Sequence, residues 1–226
     1  MHLKTIIATI SLLAASASHT LAAGLKVTFE AADKGGTLRT ENASCIAASG
    51  KAVPGSNRSP AISWSKGPAT TRSYALTMTD PDVPVDLSLL NQDGVEIAKN
   101  LPRMTFTHWI LADIPAGVTQ LAEGVDGDGI PKGGLPLART AHGRRGQNGF
   151  AAFLKDGPHG GYMGACPPWN DLRIHRYRVT VYALDIEQLT LPDVFSQADL
   201  MAAAKGHVVS SGATELTYTI NAKATK

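Results

Sequence analysis

Two carboxylates and two imidazoles occur where strand-like segments of this sequence begin, continue or end. Asp80 and Asp82 flank Pro81 at the end of one such segment, His108 lies inside a second, and His175 precedes a third. A carboxylate that accepts a hydrogen bond from one ring nitrogen orients the imidazole, and the other nitrogen can then donate to an oxyanion. We therefore expect both histidines to donate to a small anion and both aspartates to orient them.

The same residue types also suit a histidine that acts as a general base beside an orienting carboxylate, so a small hydrolase is an alternative function. A metal site of two histidines and two aspartates is one form of that alternative. The sequence contains no G-x-S-x-G or H-E-x-x-H motif. Because no nucleophile is evident, we expect binding without turnover, with no cofactor and no metal.

Three predicted strands position these side chains. Alternation of apolar and polar residues predicts strands at 73–80, 105–112 and 176–184. Asp80 has the parity of the apolar positions, so its side chain is expected on the buried face, where a carboxylate needs partners. The prolines that follow are expected to end the strand and to hold both carboxylates at the rim of the sheet. An Asx-type turn that only caps the strand is the alternative.

The second predicted strand places His108 on one face with Phe106 and Ile110, opposite Trp109 and Leu111. A single inward-facing histidine is more often a core residue than a functional one. Its role therefore depends on the partners that the fold brings to it.

The remaining elements predict a mainly β fold. Ser196 and Asp199 resemble a capping box that begins one late helix, and Gly206 is expected to end it. A single helix among many strands does not suit alternating βαβ units. Gly- and Pro-rich loops are expected at 82–104, 124–149 and 155–171, and shorter strands at 26–30, 62–65, 149–154 and 214–220.

The charge balance argues against a nucleic-acid partner. Lysine and arginine total 21 against 19 aspartates and glutamates in 226 residues, which leaves a net charge of +2 and no concentrated basic patch. Asp126 and Asp128 lack a further acidic or amide ligand at position 130, so a solvated turn is predicted there in place of a calcium loop. Arg144 and Arg145 are likewise predicted to lie in an exposed turn.

The first 23 residues read as a secretory signal peptide, with a basic start, an apolar stretch and small residues at its end. An uncleaved N-terminal anchor is the alternative. No later segment is apolar and long enough to span a membrane. We therefore expect residues 24–226 to form a single domain that is periplasmic or secreted. In an oxidising compartment Cys45 and Cys166 can form a disulfide or remain two separate buried thiols.

Four segments in order resemble the phosphatidylethanolamine-binding protein family, in the bacterial branch described as Raf-kinase-inhibitor-like. They are DPDVP at 80–84, HWILADIPAG at 108–117, GYMGACPPWNDLRIHRYRVTVYALD at 161–185 and GHVVSSGATELTYTI at 206–220. The resemblance extends from about residue 57 to residue 221. The ordered set is specific, whereas each segment alone is a weak signal.

The resemblance implies a β-sandwich with a few peripheral helices, including one near the C-terminus, and a preformed pocket for a small anion or a phosphorylated headgroup. A protein-interaction or inhibitor module is a further alternative, with no partner identified. By motif position, the residues that the resemblance assigns to the pocket are Asp80, Asp82, His108, Cys166, Pro167, Pro168, His175 and Tyr177.

Two departures from the family pattern bear on the ligand. The stretch 85–106 is longer than the usual link between the DPD and HW motifs, and its insertion, 85–103, is expected to fold over the mouth of the pocket. Trp169, Asn170 and Asp171 replace a turn that is rich in glycine and lysine in eukaryotic members. Ligand preferences of those members therefore do not transfer directly to this chain.

Overall fold

A computed structural model describes residues 24–33 and 35–225. The predicted signal peptide, residues 1–23, lies outside the described residues. Within them, no helix combines the length and the apolar character that a membrane span requires.

Eleven strands and one α-helix occur in the described part of the chain. The strands are β1 Val27–Phe29, β2 Cys45–Ala48, β3 Lys51–Pro54, β4 Ile62–Trp64, β5 Ser73–Pro84, β6 Arg103–Pro115, β7 Gln120–Leu121, β8 Arg139–Thr140, β9 Gly143–Arg145, β10 His175–Leu184 and β11 Val208–Tyr218. The helix α1 spans Gln197–Ala204, and short 3-10 helices span Thr40–Asn42, Leu87–Leu89 and Gly149–Ala152.

A six-stranded antiparallel sheet, in the order β11-β10-β5-β6-β9-β8, forms most of the fold. A three-stranded sheet, β1-β4-β7, contributes to the same main core as the larger sheet, whereas β2 and β3 form a separate hairpin. The prediction of a mainly β fold with one late helix is confirmed. The alternating strands of the large sheet direct apolar side chains into that core, including Leu76, Met78, Val179 and Val181.

Helix α1 begins as predicted. The side chain of Ser196 accepts from the backbone of Asp199, and the Asp199 carboxylate accepts from the backbone N–H of Ser196. Leu200 and Ala204 pack into a second core cluster on the other face of the large sheet. The predicted strand at 149–154 is wrong, because the Asn148 side chain accepts from a backbone N–H two residues later and starts a 3-10 helix there.

Strand β5 does not end at Asp80 as predicted but continues to Pro84. Its pairing with β10 stops at Thr79, so the missing N–H groups of the two prolines remove no hydrogen bond on that side. On the other side, the register with β6 shifts between Asp80 and Val83. The prolines are therefore accommodated in a bulged edge segment and do not terminate the strand.

Strand β6 carries one extra residue at His108, because its register with β5 shifts just before Trp109. The bulge breaks the simple alternation. Phe106 and Trp109 consequently share one face of the sheet, while Ile110 packs in the cluster beneath α1. The prediction that His108 shares a face with Ile110 is wrong for this reason.

A disulfide joins Cys45 to Cys166 across 121 positions of sequence, with Cα atoms 4.7 Å apart. The backbone N–H groups of Ser44 and Cys45 also donate to the carbonyl of Ala165 at 3.0 and 3.2 Å. The β2–β3 hairpin is thus fixed to the segment that leads into Pro167. The sequence left open a disulfide or two separate thiols at Cys45 and Cys166, and the structure contains the disulfide.

Replacing both cysteines by alanine should lower the free energy of unfolding. A closed loop of this length restricts the unfolded chain, and the chain-entropy model assigns it about 4–5 kcal/mol. Urea denaturation followed by tryptophan fluorescence measures the loss. Each single variant, kept under reductant, should lose about as much as the double variant because each opens the same bridge. A loss below about 1 kcal/mol would contradict the expectation.

Candidate functional site

A cavity of about 270 Å³ lies at the end of the large sheet, where β5, β6, β10 and the prolines after Cys166 meet. Its polar lining consists of Asp80, His108 and His175. The rest of its lining is apolar or sulfur-containing: Val83, Leu87, Leu90, Phe106, Phe150, Phe153, Cys166, Pro167 and Pro168. The structure therefore brings together six of the eight residues that the resemblance assigned to the pocket, and leaves out Asp82 and Tyr177.

His175 lies in a buried chain of alternating charges. Its Nδ1 lies 2.7 Å from a carboxylate oxygen of Asp80, and its Nε2 lies 3.1 Å from one of Asp171. Arg103 donates to both oxygens of Asp171, at 2.5 and 3.1 Å. Burial lowers the pKa of His175, but the two carboxylates outweigh burial and raise that pKa to about 9. His175 is consequently an imidazolium at neutral pH.

Because both ring N–H groups of His175 are engaged by carboxylates, this side chain has no donor for a ligand. The expectation that both histidines donate to an anion is therefore wrong for His175. Its charge instead balances the carboxylates on either side of it. In the described residues, no group of three or more histidine, cysteine, aspartate or glutamate side chains is arranged to hold a metal ion.

His108 has one engaged nitrogen and one without a partner. Its Nδ1 lies 2.8 Å from the carbonyl oxygen of Met163, which can only accept, so Nδ1 carries the hydrogen. Its Nε2 is buried and has no hydrogen-bond partner among the described residues. Burial lowers the pKa of His108 below the ordinary 6.5, although the Asp80 charge opposes the shift. At neutral pH, Nε2 therefore presents a lone pair.

Tyr177 supports His108 from outside the cavity lining. The two ring centroids lie 5.3 Å apart in an edge-to-face arrangement. The Tyr177 hydroxyl has no hydrogen-bond partner in the described part of the chain, and burial raises its pKa well above the ordinary value. The geometry therefore supports ring packing against His108 as the role of Tyr177.

Asp82 points away from the cavity and is a structural anchor. Its backbone N–H donates to the Asp80 carboxylate at 2.8 Å, the Asx-type turn considered as an alternative. Its own carboxylate accepts from the backbone and guanidinium of Arg176, at 3.0 and 2.8 Å, and from Arg173 at 3.0 Å. Burial raises the pKa of Asp82, but the hydrogen bonds from Arg176 outweigh it and leave that pKa lowered.

The insertion reaches the cavity, as its length predicted. Leu87 and Leu90 line one side of the space. The Asn170 side chain holds the insertion in place, because it donates to the carbonyls of Leu89 and Val95 at 2.9 and 3.0 Å and accepts from the backbone of Asn91 at 2.9 Å. The unusual turn at 169–171 therefore fixes the insertion.

Comparison with known proteins identifies the family. The family model described as phosphatidylethanolamine-binding protein matches residues 28–219. The chain belongs to the phosphatidylethanolamine-binding protein family.

Bacterial members of the family are similar to this chain. A UPF0098 protein of Aquifex aeolicus is 30% identical over 156 residues, 69% of this chain and 71% of that protein. Escherichia coli YbcL is 32% identical over 144 residues, 62% of this chain and 60% of YbcL. The crystal structure of YbcL, described as a member of the mammalian PEBP family, superposes with a TM-score of 0.62 at 26% identity, over 88% of this chain and 100% of that one.

A crystal structure of a family homologue from Chlamydia trachomatis gives a TM-score of 0.58 at 25% identity, over 86% of this chain and 97% of that one. These similarities confirm the family and the bacterial branch predicted from sequence.

Sequence reasoning missed two charged residues and an aromatic wall. Asp171 precedes His175 by four residues, a spacing that could have suggested contact, but Arg103 is 68 residues from Asp171 and gave no local signal. Phe150 and Phe153 were placed in a strand, whereas the 3-10 helix turns them toward the cavity.

The predicted solvated turn at Asp126 is also wrong. This side chain is fully buried and accepts from Trp109 at 2.5 Å and from Arg145 at 2.6 Å. Arg144 donates to the backbone carbonyl of Leu191 and lies over the ring of Phe195. The loop at 124–149 therefore supports the sheet next to His108.

The raised pKa of His175 predicts how stability depends on pH. The folded protein retains the His175 proton up to a pKa of about 9, whereas the unfolded chain releases it near 6.5. The His175 proton therefore stabilises the folded protein fully below about pH 6.5. This contribution to the free energy of unfolding, about 3 kcal/mol, is lost as the pH rises through about 9. Urea denaturation across this range measures it.

His175→Gln is the matched control for that measurement. The variant should be less stable, because two buried carboxylates lose their charged partner, and its stability should change much less over the same pH range. Equal pH dependence in the wild-type protein and the variant would show that another group is responsible.

Proposed function

We propose that this member of the family binds a small anionic group, such as the phosphate head of a lipid or metabolite, in the cavity lined by Asp80, His108 and His175. The observation that carries the proposal is the Nε2 atom of His108, which is buried at the cavity without a hydrogen-bond partner in the described residues. Burying a polar atom without a hydrogen bond costs free energy, and a ligand that forms a hydrogen bond with the atom removes that cost.

The charges around the cavity determine how an anion can bind. His175 and Arg103 carry two positive charges, and Asp80 and Asp171 carry two negative ones, so these four side chains together have no net charge. An anion that approached the neutral His108 would find an acceptor in Nε2 and a carboxylate in Asp80. Binding therefore requires one added proton, either on His108 or on the ligand.

The family name, which refers to phosphatidylethanolamine, supports a phosphorylated headgroup as the ligand class. The volume of about 270 Å³ is slightly below the range of about 300–1,000 Å³ usual for sites of drug-sized ligands. It suits a headgroup better than a whole diacyl lipid. The proposal includes a location outside the cytoplasm, which the N-terminal sequence and the disulfide support.

Binding without turnover is favoured over hydrolysis. The cavity lining contains no serine, threonine or free thiol in the described residues, since the sulfur of Cys166 is in the disulfide. A hydrolase would need either such a nucleophile or a water positioned beside His108. Assays with generic phosphoesters and esters test the alternative, which would be supported by turnover that His108→Ala abolishes.

Affinity for acetate should depend on pH. Free acetate is unprotonated between about pH 5.5 and 7.5, so the proton that binding requires is taken up from the solvent when the complex forms. Above the lowered pKa of free His108, affinity should fall about tenfold per pH unit. Isothermal titration in two buffers of different ionisation enthalpy should record uptake of about one proton per acetate.

His108→Gln is the matched control, because glutamine keeps an amide donor and acceptor but does not titrate. We expect this variant to bind acetate with little dependence on pH. Constant affinity in the wild-type protein over the same range would contradict the proposed role of His108, and the absence of binding to acetate, phosphate and phosphoethanolamine would contradict the function.

A further inference from the structure

Most of the cavity wall has no role in holding an anion. Phe106, Phe150 and Phe153 lie on one side of the space, and Leu87 and Leu90 of the insertion also line it. Apolar surface facing a water-filled space is unfavourable by an amount that grows with its area. A bare inorganic anion at His108 would leave this surface exposed to water.

The aromatic wall begins directly beside the His108 ring. The Phe106 ring centroid lies 5.1 Å from that of His108 and 5.0 Å from that of Phe150. Phe153 stacks on Phe106 with centroids 5.7 Å apart and is itself 46% exposed. A ligand whose acidic group reaches His108 therefore places its next few atoms against these rings.

The part of the lining that belongs to the insertion is held by specific contacts. The insertion segment that carries Leu87 and Leu90 is fixed by hydrogen bonds of the Asn170 side chain to Leu89, Asn91, Gln92 and Val95. Such a wall is formed before a ligand arrives, which reduces the ordering that binding requires. The space of about 270 Å³ is too small for two acyl chains but large enough for a compact group.

We propose that the ligand is an amphiphilic phosphomonoester, with a compact aryl or short alkyl group that lies between the two leucines of the insertion and the phenylalanine wall. This inference rests on the proposed function and names its ligand class. The phosphate monoester also carries an ionisable P–OH group, which can supply the proton that the site requires.

Three probes test the ligand class by isothermal titration at about pH 6: phenyl phosphate, inorganic phosphate and dihexanoylphosphatidylethanolamine, a soluble phosphodiester lipid. Phenyl phosphate should bind about tenfold or more tightly than inorganic phosphate, because one ring is removed from water. The lipid should bind no more tightly than inorganic phosphate. Equal affinity for phenyl phosphate and inorganic phosphate would overturn the inference, as would tighter binding of the lipid than of phenyl phosphate.

Variants locate the apolar group. Combined Leu87→Ala and Leu90→Ala substitutions should weaken phenyl phosphate binding about fivefold or more and change phosphate binding by less than about twofold. Val85→Ala is the matched control, because Val85 belongs to the insertion but is 54% exposed and outside the cavity lining. Phe153→Ala is a second test, because this ring is 46% exposed and belongs to neither core cluster.

The outcomes separate this inference from the proposed function. If inorganic phosphate binds in a His108-dependent manner and the phenyl group adds nothing, the function stands and the inference fails. If neither compound binds, both fail together. Losses of equal size for both compounds in the leucine variant would indicate damage to the anion site and would overturn the assignment of the apolar wall.

Discussion

The chain of charges from Arg103 through Asp171 and His175 to Asp80 is the interaction on which the site depends. It joins the end of the insertion, the turn before β10, the first residue of β10 and the bulged part of β5. Each member is nearly excluded from water, so none could remain charged at low cost without its neighbours. The contacts that offset the cost of burying these charges also fix the positions of four chain segments. The cavity lies between these segments.

Two histidines in one cavity differ because their partners differ. Burial disfavours the charged form of both rings. At His175 two carboxylates reverse that effect, whereas His108 has a backbone carbonyl as its hydrogen-bonded partner and stays neutral. One imidazole is therefore a buried cation held between two carboxylates, whereas the other is neutral and has a ring nitrogen without a hydrogen-bond partner among the described residues. Residue type alone does not distinguish these roles.

Local patterns predicted the central strands and the start of helix α1, because alternation and a capping box are properties of neighbouring residues. Ordered motifs predicted six of the twelve residues that line the cavity. The face of His108 was predicted wrongly, since a bulge in β6 is set by pairing with β5 and not by the residues around it. Arg103 was missed because its partner Asp171 is 68 positions away. Asp82 was assigned to the pocket because the DPD motif does not show that the Asx turn rotates its second carboxylate outward.

Substitutions at Asn170 and substitutions at Leu87 or Leu90 should have different consequences. Substitutions at Leu87 or Leu90 would alter the shape of the cavity without removing a charged contact, so under the proposed ligand class they would change the apolar group that fits and leave the polar end intact. A change at Asn170 frees the carbonyls of Leu89 and Val95 and loosens the turn that presents Asp171. The leucines thus shape the cavity directly, while the Asn170 amide acts on it indirectly by holding the insertion in place.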